Sequence, residues 1–140
     1  MSKKYIHYGN TEFYPELFGP IYNREMMTKP YGGFWASPVD TDFGWKEWCE
    51  REHFRECLEE ESFVFELREG ARVLHLREPK DLTTLPIVEP AITTWWCLDF
   101  EQLRKDGWDA VEVEIGRLYW QLYGWDCDSI LIMNPEVIVV

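Results

Sequence analysis

The chain has 140 residues, 46% of them apolar and 16% aromatic, with eight Trp. That is enough to bury a sizeable core, and residues 1–140 read as a single domain. The formal charge of −12 argues against direct nucleic-acid binding and against adhesion to an anionic membrane, while a small anionic ligand needs only a few local cations.

No apolar run reaches membrane-spanning length, and the N-terminus does not read as a signal peptide. Cys49, Cys57, Cys97 and Cys127 form no C-x-x-C pair, so free thiols in a reducing cytoplasm are expected.

In chain order, Lys4–Tyr8 predicts a first strand, and residues 10–23 a turn with a short helix or irregular segment. Lys29–Ser37 joins a Pro turn, Gly32-Gly33 and the pair Phe34-Trp35. Two glycines admit unusual backbone angles or close approach to a ligand. Gly33–Ser37 predicts the second strand, whose alternation sends one ring to the core and the other to a cleft wall. Residues 45–60 hold no Gly or Pro and carry a broad apolar stripe, which predicts a helix. Ser62–Leu67 and Ala71–Leu76 predict two strands in a hairpin. Residues 78–94, with three prolines, predict a long loop. Asp99–Gly107 reads as a short helix with an Asp N-cap, Gln102 at the capping-box position and a Gly stop. Residues 108–115 alternate like a strand, and 116–123 suit a short helix or turn. Ser129–Met133 and Val137–Val140 predict the last two strands, joined through Asn134–Glu136. Seven strands in close-spaced antiparallel pairs, with two or three helices out of regular alternation, predict an α+β class.

Several chemistries find no support. Cys49, His53 and Cys57 share a helical face, but eight residues of straight helix separate the two thiols by about 12 Å, too far for one zinc. Metal ligation is therefore not predicted. The Gly-x-Ser-x-Gly elbow, the phosphate loop and the dinucleotide fingerprint are all absent.

Three stretches taken in order carry more weight: His7-Tyr8-Gly9-Asn10, Gly33-Phe34-Trp35-Ala36-Ser37 and Asp128-Ser129-Ile130-Leu131-Ile132. Together they resemble the H-Y-E layout of the ADP-ribosyltransferases, the group of diphtheria toxin and the poly(ADP-ribose) polymerases. There a His-Gly-Thr or His-Gly-Ser motif lies on the first strand, Gly-Phe-Tyr or Gly-Ile-Tyr starts the second, and a catalytic Glu opens a late apolar strand. The resemblance implies a compact, mixed, mostly antiparallel two-sheet fold and NAD as substrate. Asp128 is then the acid that stabilises oxocarbenium character on the ribose. His7 holds a ribose hydroxyl, with Asn10 beside it where the motif's hydroxyl residue would stand. Gly9 lets backbone approach the nicotinamide amide. Gly33, Phe34 and Trp35 form the second motif, with Trp35 stacking on the cationic ring and Trp45 or Trp48 as the second wall. Glu112, Glu114 and Asp126 are alternative acids.

Taken singly, His7 equally suits a strand histidine with internal partners, the three tryptophans suit a core, and Asp128 suits turn chemistry. The implied activity is NAD-dependent ADP-ribosyl transfer to a protein or other macromolecular acceptor, as in a toxin or effector. The alternative is a non-catalytic acidic inhibitor or nucleotide sensor on the same fold.

Overall fold

The computed structural model describes residues 3–24, 27–88 and 95–140. Eight strands form one ladder among them: β1 (Lys4–Tyr8), β2 (Gly19–Tyr22), β3 (Tyr31–Pro38), β4 (Ser62–Leu67), β5 (Val73–Leu76), β6 (Ala110–Val113), β7 (Ser129–Ile132) and β8 (Ile138–Val139). The helices are α1 (Trp45–Glu52) and α2 (Phe100–Lys105), with several single 3-10 turns between. The class is α+β, and β5–β6 is the one parallel pairing among the described residues.

The strand order is β5-β6-β7-β3-β1-β4-β8, with β2 added to β3. This replaces both predicted hairpins. β4 pairs with β1 and β8, β5 pairs with β6, and β7 and β8 are not partners. The pairing also implies curvature. In a flat sheet β4 and β5 would stand five spacings apart, about 24 Å, whereas residues 68–72 reach at most about 21 Å. The sheet therefore curls, in place of the two separate sheets expected.

β3 is the hub, with β1, β2 and β7 all bonded to it. Gly32 and Gly33 have φ of +83° and +75°. A Cβ at Gly32 would lie 1.9 Å from the Pro20 carbonyl oxygen, and one at Gly33 2.3 Å from Leu131 Cδ1. The close approach made by these glycines is thus to β2 and β7, and the β2–β3 register shifts there. β2 itself escaped the sequence reading because Gly19 and Pro20 open it. Pro is tolerated where its missing N–H is not needed by the ladder.

Each face of the sheet has its own core. Val111, Val113, Leu131 and Trp125 pack with Phe100 and Leu103 of α2 on one face. Tyr5, Phe34, Phe63, Phe65, Ile130 and Ile132 pack on the other. β6 and β7 are covered on both sides, so every residue in them is buried and their apolar runs are nearly unbroken. α2 is capped as expected at its start, Asp99 accepting from the Gln102 N–H at 3.0 Å. Gln102 does not reciprocate; its amide donates to Asp106. The predicted 78–94 loop carries a 3-10 turn over Pro79–Leu82 with Leu82 fully buried, and its residues 89–94 lie outside the described set.

α1 stops eight residues short of the predicted end. His53 takes the left-handed conformation, φ 52° and ψ 38°, a state His adopts more readily than most side chains. Phe54 then folds back onto Trp45 and Trp48, with ring centroids at 5.7 and 5.4 Å. The chain reverses, and Cys57 returns to the cavity that Cys49 borders. The straight-helix separation that set these two cysteines apart does not hold.

Candidate functional site

A cleft of about 400 Å³ opens where β1 leaves β3. β1 pairs with β4 along its whole length, yet only Tyr5 and Ile6 pair with β3. Beyond Ile6 the strands part. Ile6, His7 and Tyr8 form one wall, facing Trp35, Ala36 and Ser37. Cys127 and Ser129, at the start of β7, extend the β3 side, and Trp45 of α1 closes an end. The volume is in the range of small-molecule sites.

Internal bonds fix these walls. Ser37 Oγ donates to the Asp128 carbonyl and accepts the Trp45 N–H, both at 2.9 Å. The β3 hydroxyl thus caps the first turn of α1 and sets Trp45. The Gly44 N–H donates to Glu47 at 2.8 Å. Trp35 stands edge-on to the buried Trp125, centroids 4.9 Å apart. Trp125 Nε1–H donates to the Thr28 carbonyl at 2.8 Å, and Thr28 Oγ1 donates to the Tyr123 carbonyl at 2.7 Å. These two bonds anchor the segment that carries Lys29.

The charge of the cleft opposes that of the protein. Arg24, Lys29 and Arg55 line it, and among the described residues no Asp or Glu does. Lys29 Nζ sits 5.2 Å from the Trp35 ring centre. Burial lowers the Lys29 pKa, and Asp126, 3.8 Å away, works against that shift. Three cations beside two indole walls suit an anion that carries a flat ring.

Of the residues expected at a site, His7, Trp35 and Trp45 line the cleft. His7 does so with both ring nitrogens engaged. Nδ1–H donates to the Trp35 carbonyl at 2.8 Å, which fixes the tautomer, and Nε2 accepts from the Asn10 amide at 3.2 Å. Its ring packs 4.3 Å from Phe34. Burial, the largest influence, lowers its pKa; the Trp35 carbonyl opposes this and nearby Arg55 reinforces it.

The others fall outside. Gly9 has φ +115° and lies beside Arg55. Asn10 serves His7. Gly33 packs on β7, and Phe34 is core. Trp48 stacks on Trp45, centroids 5.2 Å apart, forming an outer layer rather than a wall. Asp128 is turned off the cleft, since Cys127 and Ser129 face it and alternation reverses the residue between. Its Oδ1 accepts the Ile115 N–H at 2.9 Å and its Oδ2 the Thr41 hydroxyl.

The alternative acids differ too. Glu112 is buried, accepting from the Tyr5 hydroxyl and pairing with Lys3. That contact and burial, burial foremost, raise the Tyr5 pKa. Glu114 pairs with Arg77 on another surface. Asp126 alone of these carboxylates contacts a cleft residue, Lys29.

Sequence reading missed the three cations Arg24, Lys29 and Arg55, and also Tyr8, Cys127 and Ser129, as lining residues. Only the last two had a local signal, the period-two alternation through β7. Comparisons with protein-family models, with curated proteins and with solved structures find no match.

Proposed function

We propose that this chain is an NAD-binding protein with an ADP-ribosyltransferase-like cleft, acting as a nucleotide sensor rather than as an efficient transferase. One observation carries the reading: indole walls and three cations line a cleft that, among the described residues, no carboxylate lines, in a protein of charge −12. The nicotinamide ring stacks against Trp35 or Trp45, and the pyrophosphate meets Arg24, Lys29 and Arg55. Ribosyl transfer needs a fixed carboxylate near developing positive charge. Asp128 supplies none while it holds Ile115 and Thr41.

The test is titration of the protein with NAD, followed by tryptophan fluorescence. Saturable quenching is expected, weakened about tenfold or more when both Lys29 and Arg55 are changed to Ala, since each makes a charge-assisted contact. No saturable response overturns the reading.

A second reading, turnover on a protein acceptor, is favoured by Asp126 at the cleft edge, 3.8 Å from Lys29. It predicts nicotinamide release that Asp126→Asn abolishes and Asp128→Asn spares. Absence of release from the wild type rules that reading out and leaves the sensor.

A further inference from the structure

The reversal after α1 creates a second feature, next to the cleft but chemically separate. Cys49 is buried on α1, 1% exposed, while Cys57 is partly exposed on the returning segment. Both border one open cavity, with His53 and Arg55, and Cys57 is near enough to raise the Cys49 pKa. Arg55 therefore lines that cavity on one side and the cleft on the other. The segment between is weakly held. Its Phe54 N–H donates to the Cys49 carbonyl and its Leu58 carbonyl accepts from Glu61, with no backbone hydrogen bond to the rest of the described residues in between. Cys97 is buried elsewhere, and Cys127, also buried, faces the neighbouring cleft.

We propose that Cys49 and Cys57 close to a disulfide on reaction with a small-molecule disulfide of the glutathione type, locking residues 53–58 and fixing Arg55 at the cleft. Two thiols on one cavity, joined by a segment with few backbone anchors, have to approach to the S–S bond length of about 2.05 Å, which that freedom allows. The partly exposed Cys57, as thiolate, attacks one sulfur of the small disulfide and expels one small thiol. Cys49 then gives up its proton, attacks the Cys57 sulfur of the mixed disulfide and expels the second. Two protein thiols are oxidised, one small disulfide is reduced to two thiols, and the protons end on the products. Burial, with Cys57 alongside, pushes the Cys49 thiol up to about 12, which gives it the resolving role and Cys57 the attacking one.

A locked segment presents Arg55 already in position, so the oxidised protein binds an anion more tightly. That consequence rests on the nucleotide reading above; the disulfide itself does not.

The full-length chain is equilibrated in oxidised and reduced glutathione, quenched by alkylation and mapped by mass spectrometry. The expected product is a Cys49–Cys57 cross-link two hydrogens lighter, with Cys97 and Cys127 alkylated after denaturation. Cys57→Ser abolishes it and keeps the fold, since this side chain is not fully buried. Tryptic cleavage after Arg55 slows about tenfold in the oxidised wild type, in line with loss of segment freedom. A persistent mixed disulfide at Cys57, a different pairing, or an unchanged cleavage rate overturns the proposal. NAD affinity in the same samples is expected to rise about three- to tenfold on oxidation. Equal affinity in both states overturns the role given to Arg55. Absence of NAD binding in both states counts against the nucleotide reading and leaves the thiol map standing.

Discussion

Asp128→Ala is expected to remove stability and leave ligand binding alone, the reverse of what a catalytic acid would do. Asp128 ties two segments together by accepting from the Ile115 N–H and the Thr41 hydroxyl. Hydrogen bonds to a charged acceptor contribute about 1.5–3 kcal/mol each, and partial exposure of Asp128 favours the lower end. Ile115 is only 4% exposed, so its N–H is left without a partner in a dry site, a penalty of about 1–3 kcal/mol. Because these terms overlap, the whole is about 3 kcal/mol. With a urea slope of about 2 kcal/mol per M, the unfolding midpoint falls by about 1.5 M. Asp128→Asn keeps an oxygen for Ile115 and loses about 1 kcal/mol, a shift near 0.5 M. Both variants are assayed by urea unfolding and by NAD quenching of the folded protein. A midpoint for Asp128→Ala within about 0.3 M of wild type, with quenching lost, would refute the account and return Asp128 to the cleft.

Two further outcomes follow from the backbone and from His7. Gly32→Ala is expected to be severe, at about 3 kcal/mol or more, because it adds left-handed strain to a clash with the Pro20 carbonyl. Gly70→Ala, also at positive φ but with nothing within 4 Å, loses only about 1 kcal/mol; equal effects in urea unfolding would show that packing against β2 is not what Gly32 provides. For His7 the folded pKa lies below the usual 6.5, so the unfolded chain binds the proton first. Stability is therefore full above pH 6.5 and is lost as pH falls through the folded pKa. Urea titrations from pH 5 to 8 should show this slope in the wild type and a smaller one in His7→Gln, and identical slopes would mean that His7 is not buried neutral.

Much of the fold was legible where the signal was local. Lys4–Tyr8, with two Tyr and an Ile in five residues, is β1 at the predicted bounds, and Asp99 caps α2 because an Asp before a helix needs no tertiary help. What was lost depended on distance in sequence. Short links made β4 and β5 look like a hairpin, but strand partners are chosen by which faces bury, and β5 finds β6 across 33 intervening residues. The end of α1 is set by Phe54 packing on Trp45 and Trp48, which no helix propensity encodes. The site divides the same way. Phe34 and Trp35 are sent to opposite faces by strand geometry alone, whereas Arg24 and Lys29, on the link from β2 to β3, meet Arg55 only because two separate irregular segments converge.

That convergence depends on the parting of β1 from β3, and the parting has a local cause. Once β1 diverges after Ile6, the Trp35 carbonyl has no β1 N–H opposite it, and buried carbonyls seldom stay unpaired. His7 Nδ1–H fills the place at 2.8 Å, with Asn10 holding the other nitrogen. The imidazole thus acts as a peg that substitutes for a ladder bond and keeps the gap open. The same residue types that mark a ribose contact in the ADP-ribosyltransferase pattern here hold the wall in place. On the proposed reading, the ligand chemistry passes to the other groups that line the cleft: the two indoles, Lys29 and the guanidinium groups. The split strand accounts for the presence of a cleft, and the cations at its edges account for the charge of what would enter it.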